Sequence, residues 1–290
     1  MRLAFIGTPD AAVPSLEALV HAGYDVALVI TRPDRRRGRG GELSPSPVKA
    51  AALALGLSVS HRLADLEELD VERGVVVAYG AIIPEPLLRR VPMLNVHFSL
   101  LPRWRGAAPV QRALLAGDEE TGVTIISLEP SLDTGPVHLE RRIRIDEKTA
   151  LELTAELAVL GAGALLEVLG SPRLLEHPKA QVGDATYAEK LTKETFHLRP
   201  EMSASVALRT VRLGGAYLFV AATRVGVVSA HASNAAVREG LVDLVEGNVA
   251  LGTRDGALSL GDVRPAGSST MSAPAWWSGR RGDDGPLPWS

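Results

Sequence analysis

The first thirty residues limit the fold most. Residues 3–6 form a short apolar run closed by Gly7-Thr8-Pro9-Asp10. Leu16, Leu19 and Val20 then recur at helical spacing up to Gly23, and a second apolar run follows at 26–30. Strand, turn, helix and strand in that order make the unit of a parallel sheet with a right-handed crossover. Val75-Val76-Val77-Ala78 suits a strand buried on both faces. Leu94-Asn95-Val96 and residues 123–128 read as two further strands, with a helix between them from about Ala107 to Ala116, and 138–145 reads as another strand. Residues 149–169 are rich in Ala and Leu and read as one long helix, with Thr149 as its N-cap.

The texture changes after Ser171. Prolines 172, 178 and 200 and mixed polar residues predict a linker over 176–203. Beyond it, short β-like runs at 217–221, 225–228, 241–245, 248–251 and 257–260 alternate with Gly247-Asn248 and Asp255-Gly256 turn signals. That spacing predicts a small β-barrel or sandwich over 204–290. Residues 279–290 are rich in Gly, Pro and Asp and are expected to fray. The expected architecture is therefore a doubly wound, mostly parallel α/β domain over 1–175, a linker, and a small C-terminal β domain.

Composition sets the class. A hydrophobic fraction of 46% with 22% charged residues over 290 residues describes an ordinary globular chain with ample core. No apolar run approaches the length of a membrane span, and the start reads as a strand rather than a targeting peptide. The absence of Cys excludes a disulfide framework, a Cys-based zinc site and thiol catalysis. The expectation is a monomer in the cytoplasm with no membrane partner. A net charge of −3 argues against coating nucleic acid by bulk charge, but Arg32, Arg35, Arg36, Arg37 and Arg39 crowd one stretch among Pro33, Gly38, Gly40 and Gly41. That stretch fits either a solvated loop or a phosphate-contacting one, since Arg forks match phosphate and glycines let backbone mould to a ligand.

Candidate chemistry gathers around Asn95, His97 and Asp133. Asn95 and His97 are two apart on a strand, so their side chains share a face, beside the Pro/Gly-rich segment that runs to Gly106. Ligands of open α/β sheets sit outside the carboxyl ends of the strands. The strand order of the sequence puts Asn95 and His97 at the end of one strand and Asp133 after another, at one edge. An amide donor, a proton-handling ring and a carboxylate are enough for acyl transfer to an amine, with no metal or covalent nucleophile. Asp133 in Ser131-Leu132-Asp133-Thr134-Gly135 fits equally well a turn aspartate capping its own backbone. Gly7-Thr8-Pro9-Asp10 reads as a plain β–α turn or as an anion site, the latter weakened by Pro9 and by the missing Gly-x-Gly-x-x-Gly pattern. Trp276-Trp277 reads as a hydrophobic anchor of the small domain.

The chain resembles the methionyl-tRNA formyltransferase family over about residues 1–280. The matching segments are Phe5-Ile6-Gly7-Thr8-Pro9-Asp10, residues 31–49 ending in Ser44-Pro45-Ser46-Pro47-Val48-Lys49, Ala78-Tyr79-Gly80 with Ile82-Ile83-Pro84, and residues 95–109. Residues 121–124, Asp133-Thr134-Gly135, Thr186-Tyr187-Ala188-Glu189-Lys190 and Val263-Arg264-Pro265-Ala266-Gly267 with Met271-Ser272 complete the match. The resemblance implies a Rossmann-like catalytic domain and an OB-like second domain that supports tRNA. It also implies transfer of a formyl group from 10-formyltetrahydrofolate, as co-substrate, to the α-amine of methionine on initiator tRNA. By the same resemblance Asn95, His97 and Asp133 fall on catalytic positions and Ser99, Leu100, Leu101 and Pro102 on the tetrahydrofolate-binding segment. Arg36, Arg37 and Arg39 fall in the loop that reaches the tRNA acceptor end. The Asn/His/Asp set is shared with folate-dependent formyltransferases acting on nucleotide sugars or other small amines, which is the alternative reading. Three departures stand out. Phe98 replaces a usual small residue, which is expected to narrow the site; Gly41-Glu42 replaces a Lys pair; and no Lys follows Lys193.

Overall fold

The structure, a computed structural model, describes residues 1–37, 41–280 and 285–290, with only the backbone of Arg37. The chain forms two compact units. The first comprises residues 1–113, 119–146 and 152–190; the second comprises 114–118, 147–151 and 191–290.

The expected strand–helix–strand opening is β1 (Arg2–Gly7), α1 (Val13–His21) and β2 (Asp25–Ile30). A hairpin of β3 (Arg35–Arg37) and β4 (Glu42–Ser44) follows, then α2 (Pro47–Ala54), β5 (Val59–Ser60), β6 (Arg73–Val77), α3 (Glu85–Arg90) and β7 (Met93–His97). After β8 (Arg105–Gly106) come α4 (Pro109–Ala116), β9 (Glu120–Ser127), β10 (Val137–Arg144), α5 (Ala150–Leu169), α6 (Pro172–Glu176) and β11 (Tyr187–Ala188). The main sheet has seven strands in the order β10-β9-β7-β6-β1-β2-β5. From β5 to β7 the pairs are parallel; β9 runs antiparallel to β7, and β10 antiparallel to β9.

Alternate residues of these strands feed cores on opposite faces. Leu3, Phe5, Val75, Val77, Leu94 and Val96 pack with Leu16 and Leu19 of α1 and Leu153 and Leu157 of α5. Ala4, Ile6, Leu28, Ile30 and Met93 pack with Leu66 and Leu87. Burial on both faces explains the unbroken apolar runs, each large side chain contributing about 1.5–3 kcal/mol. The chain steps from β1 out to β2 and β5, then crosses back to lay β6 on the other side of β1. The crevice between the carboxyl ends of β1 and β6 is thus the switch point of the sheet, where ligands of such folds bind.

In the second unit α7 (Ala204–Arg212) precedes β12 (Tyr217–Val220), β13 (Thr223–Val227), β14 (Ala230–Ser233), β15 (Leu241–Val245), β16 (Asn248–Thr253), β17 (Gly256–Leu260), β18 (Asp262–Pro265), β19 (Met271–Ser272), α8 (Ala273–Ser278) and β20 (Leu287–Pro288). They form antiparallel sheets of four strands (β12-β13-β18-β19) and five strands (β14-β17-β16-β15-β20). β13 runs on into β14 through Val228-Ser229, and β17 into β18 through Gly261, so two bent strands are shared between the sheets. The two bends approach closely: a Cβ at Gly261 would stand 2.5 Å from Ser229 Oγ, so a larger residue there must turn that hydroxyl aside. The opposite seam is closed by residues 287–290. Leu287 and Pro288 pair with Val242 and Leu241, Trp289 bridges to Val220, and Ser290 exchanges backbone hydrogen bonds of 2.6 and 2.9 Å with Phe219.

The last described residues therefore do not fray as their composition suggests. Gly and Pro there start and end a short strand, and the indole of Trp289, 4% exposed, fills the barrel core and donates to Gly252 O at 3.3 Å. Trp277 is buried in the same core with Trp276 against it, as expected of an anchor. The Pro-rich stretch 176–203 contains β11, paired with β8, and Lys179, bridged to Val137.

Two outcomes are expected. Trp289→Ala should cost about 3–5 kcal/mol, read as a lower denaturation midpoint of the second unit in urea. The second concerns His138, which is buried between β10 and α6. Its Nδ1 donates to Leu174 O at 2.8 Å, leaving Nε2 to accept from the Ser127 hydroxyl, also at 2.8 Å. Burial lowers its pKa below the usual histidine value; the Leu174 hydrogen bond opposes this, and the positive charge of Arg73 adds to it. The unfolded chain thus takes up this proton first as pH falls, and the stability present above about pH 6.5 is lost on acidification below it. His138→Gln should flatten that acid slope in urea titrations between pH 7.5 and 5; an unchanged slope would remove His138 from the effect.

Candidate active site

β7 ends at His97, beside β6, and Asn95 pairs with Val76 on one side and Ile126 on the other. The register puts Asn95 and His97 on the same face as Met93, opposite Leu94 and Val96. Phe98 follows the other alternation: it lies 9% exposed in the core with Val96 and does not narrow the site. This corrects the expectation from its size, because its position after His97 turns it to the other face. The Asn95 side chain is half-buried and has no hydrogen-bond partner among the described residues.

His97 is 6% exposed. Its Nε2 lies 2.9 Å from Trp104 O, and its Nδ1 lies 3.7 Å from Asp133 Oδ2. A carbonyl only accepts, so Nε2 carries the proton. The same Asp133 oxygen accepts the Gly106 N–H at 2.8 Å. Trp104 (φ +63°) and Asp133 (φ +51°) both occupy the left-handed backbone region. Non-glycine residues are held there at a cost of about 1–3 kcal/mol, and such residues cluster at functional sites.

The strand order explains only part of this meeting. Ser127 pairs with Leu94, so antiparallel β9 delivers the chain to the amino end of β7, not its carboxyl end. The loop 128–136 brings Asp133 back to His97. The expected common edge is reached, but by a returning loop, because the strand before Asp133 runs opposite to its neighbour.

The segment of Ser99, Leu100, Leu101 and Pro102 is held from within. Ser99 Oγ donates to Arg103 O at 2.6 Å, while Thr124 Oγ1 donates to Ser99 O at 2.7 Å and accepts the Leu101 N–H at 3.2 Å. Ser99 and Leu101 are buried, so the outward surface of this segment comes from Leu100 and Pro102. On the far side, Thr186 Oγ1 accepts the Trp104 N–H at 2.9 Å, and Ala188 O accepts from Ala107 and Ala108. Gly106 (φ +120°) runs so close to β11 that a Cβ would stand 2.8 Å from Ala188 O. Nothing in the spacing of Thr124 or Thr186 points to this role, since Thr124 reaches partners 23 and 25 positions away and Thr186 one 82 positions away.

A cavity of about 260 Å³ opens at the switch point, lined by Thr8 and Pro9 after β1, Arg32, Pro33 and Arg35 after β2, and Ala78, Tyr79 and Gly80 after β6. Two guanidinium-bearing residues beside the Thr8 turn suit an anionic ligand. The hairpin of β3 and β4 rises from its rim, rooted by Lys49 on Asp34 (2.7 Å) and by the Thr31–Ser46 hydroxyl contact (2.7 Å). Arg36 lies on this hairpin and Arg37 contributes its backbone to it; Arg39 falls outside the described residues.

Sequence comparison defines the class. A family model described as formyl transferase matches residues 1–169, and one for the formyl transferase C-terminal domain matches 190–281. The chain belongs to the formyl transferase family. Among its relatives are methionyl-tRNA formyltransferases from Roseobacter denitrificans, 41% identical over 99% of this chain and 98% of its own length, and from Clavibacter sepedonicus, 41% identical over 96% and 97%. Among solved structures, an N-formyltransferase from Helicobacter canadensis in complex with folinic acid and dTDP-3-aminofucose shares the fold at a TM-score of 0.68 and 16% identity, covering 93% of this chain and 99% of its own. The methionyl-tRNA formyltransferase from Clostridium thermocellum does so at 0.56 and 15%, covering 81% and 94%.

A side chain at Gly135 would put its Cβ 1.8 Å from Ser127 O, which is main chain of β9 and cannot yield. Gly135→Ala must therefore displace the loop carrying Asp133. It should cost about 1–3 kcal/mol and speed amide exchange at Gly106, read by urea unfolding and hydrogen exchange.

Proposed function

We propose that this protein transfers the formyl group of 10-formyltetrahydrofolate to the α-amine of methionine esterified to initiator tRNA. The observation that carries the reading is the convergence of His97, Asp133 and the Gly106 amide, with Asn95 on the same strand face, in a chain whose relatives over nearly full length are methionyl-tRNA formyltransferases. As the amine attacks the formyl carbon, charge develops on the formyl oxygen. The amide of Asn95, unpartnered among the described residues, suits donation to that oxygen, a contribution of about 10²–10³ in rate. The new C–N bond forms as the bond to folate N10 breaks, and the proton leaving the amine ends on the folate nitrogen.

His97 suits the proton handling better than the oxyanion. Its Nε2–H is already given to Trp104 O, and its bare Nδ1 faces Asp133. A proton received at Nδ1 meets the carboxylate, so both ring N–H groups then face acceptors. Ser99, Leu100, Leu101 and Pro102 are assigned to the folate side, with the half-buried Leu100 and Pro102 as its outward surface. Arg36, Arg37 and Arg39 are assigned to tRNA phosphates, an attraction that grows with each phosphate engaged.

The test is formylation of charged initiator tRNA, uncharged tRNA and a small sugar amine, each with 10-formyltetrahydrofolate. Only charged tRNA should turn over; activity on the sugar amine alone would establish the alternative. In the same assay Asn95→Ala and His97→Ala should each lose at least about 10² in kcat. Replacing Arg36, Arg37 and Arg39 with Ala should lower the salt slope of tRNA binding by about 0.7–0.9 for each phosphate no longer engaged.

A further inference from the structure

Gln181 lies between the two segments that match the family and has no direct part in the transfer chemistry. Its Nε2 donates to Asp133 O at 2.8 Å and to Gly135 O at 2.9 Å. Its Oε1 accepts from Arg105 Nε at 3.1 Å and Nη2 at 2.6 Å. Carbonyls only accept and a guanidinium only donates, so this amide fits in one orientation and not its flip.

Both ends of this fork matter to the site. Arg105 immediately precedes Gly106, whose N–H is held by Asp133 Oδ2. Asp133 bears that carboxylate and sits at positive φ, and Gly135 lies two residues further along the same loop. Gly135 is packed against β9, but apolar side chains add little hold at the tip, where Leu132 is 61% exposed. The polar fork of Gln181 adds a hold on the backbone at Asp133 and Gly135. It fastens the returning loop to the segment that follows His97 and so sets the distance from Asp133 to the imidazole.

We propose that Gln181 is a positioning residue for the transfer step, acting through Asp133. The proposal rests on the formyl-transfer reading above. It predicts that a change at position 181 acts on turnover and not on substrate affinity, because neither substrate need touch Gln181.

Two substitutions separate the arms of the fork. Gln181→Glu keeps an oxygen for Arg105 but turns the second oxygen on two carbonyls, repelling the Asp133 loop. Gln181→Leu removes both arms. Each variant should lose about 10–100-fold in kcat, the scale of a misplacement near 1 Å, with KM for charged tRNA and for 10-formyltetrahydrofolate within about twofold. Amide exchange at Gly106, measured without substrate, should be faster in both. Should Gln181→Leu fail to fold, Gln181→Glu decides. Wild-type kcat in Gln181→Glu, a loss confined to KM, or unchanged exchange at Gly106 would each overturn the proposal. Wild-type protein that formylates no methionyl-tRNA would instead overturn the functional reading, and the Gly106 exchange would still report on the positioning.

Discussion

Oδ2 of Asp133 accepts the Gly106 amide at 2.8 Å while lying 3.7 Å from Nδ1 of His97, and the surrounding structure keeps it there. Three parts of the chain must agree for this to hold. β7 is paired on both edges up to Asn95, and His97 at its end pairs with Thr124 of β9. β8 fixes Gly106 by pairing with β11. The loop 128–136 supplies the carboxylate, with its own backbone held in an uncommon conformation at Asp133. A buried carboxylate beside a buried imidazole costs solvation, so such a pair persists only when hydrogen bonds satisfy it. Here a main-chain N–H, which cannot swing away as a side chain can, supplies the satisfaction.

The parts legible in the sequence are those whose cause is local. Residues 3–6, 26–30 and 75–77 are apolar without interruption because both faces of their strands are covered, and so they announce themselves. Asn95 and His97 can be placed on one face because strand periodicity is a property of neighbours two apart. The direction of β9 cannot be read, since nothing within residues 120–127 distinguishes a parallel from an antiparallel partner. Asp133 is therefore identifiable by type but not by route. Residues 285–290 show the opposite failure: Gly, Pro and Ser speak for disorder locally, while pairing with residues 219–220 and 241–242 makes them a structural seam. Gln181 is the extreme case, a lone polar residue whose partners lie 46–76 positions away.

Two neighbouring strand ends on the carboxyl edge of the sheet divide the labour of the candidate site. Adjacent strands β6 and β7 end in different equipment: β6 in the Ala78-Tyr79-Gly80 turn of a cavity bordered by Arg32 and Arg35, β7 in His97. Ala78, like Trp104 and Asp133, has positive φ (+47°). Three of the seven non-glycine positive-φ positions among the described residues thus fall on the cavity wall, on the carbonyl facing His97 and on the carboxylate itself; Asp146, Ala221, Ala222 and Glu246 lie in turns elsewhere. A fold that accepts about 1–3 kcal/mol at each is supported by the two apolar layers that clamp the sheet from either side.

The seam at residues 287–290 also bears on how the chain is made. The first unit needs nothing beyond Lys190, whereas the barrel cannot close until Ser290 has emerged. At about 5–20 residues per second, a ribosome takes roughly 5–20 s to add the intervening residues. During that interval the doubly wound unit can fold while the barrel strands wait unpaired along one seam. Leu114 and Ala150, which pack with Leu213 inside the second unit, wait as well, although translated long before. The chain thus has seconds in which the first unit can be complete while the barrel still lacks its last partner strand.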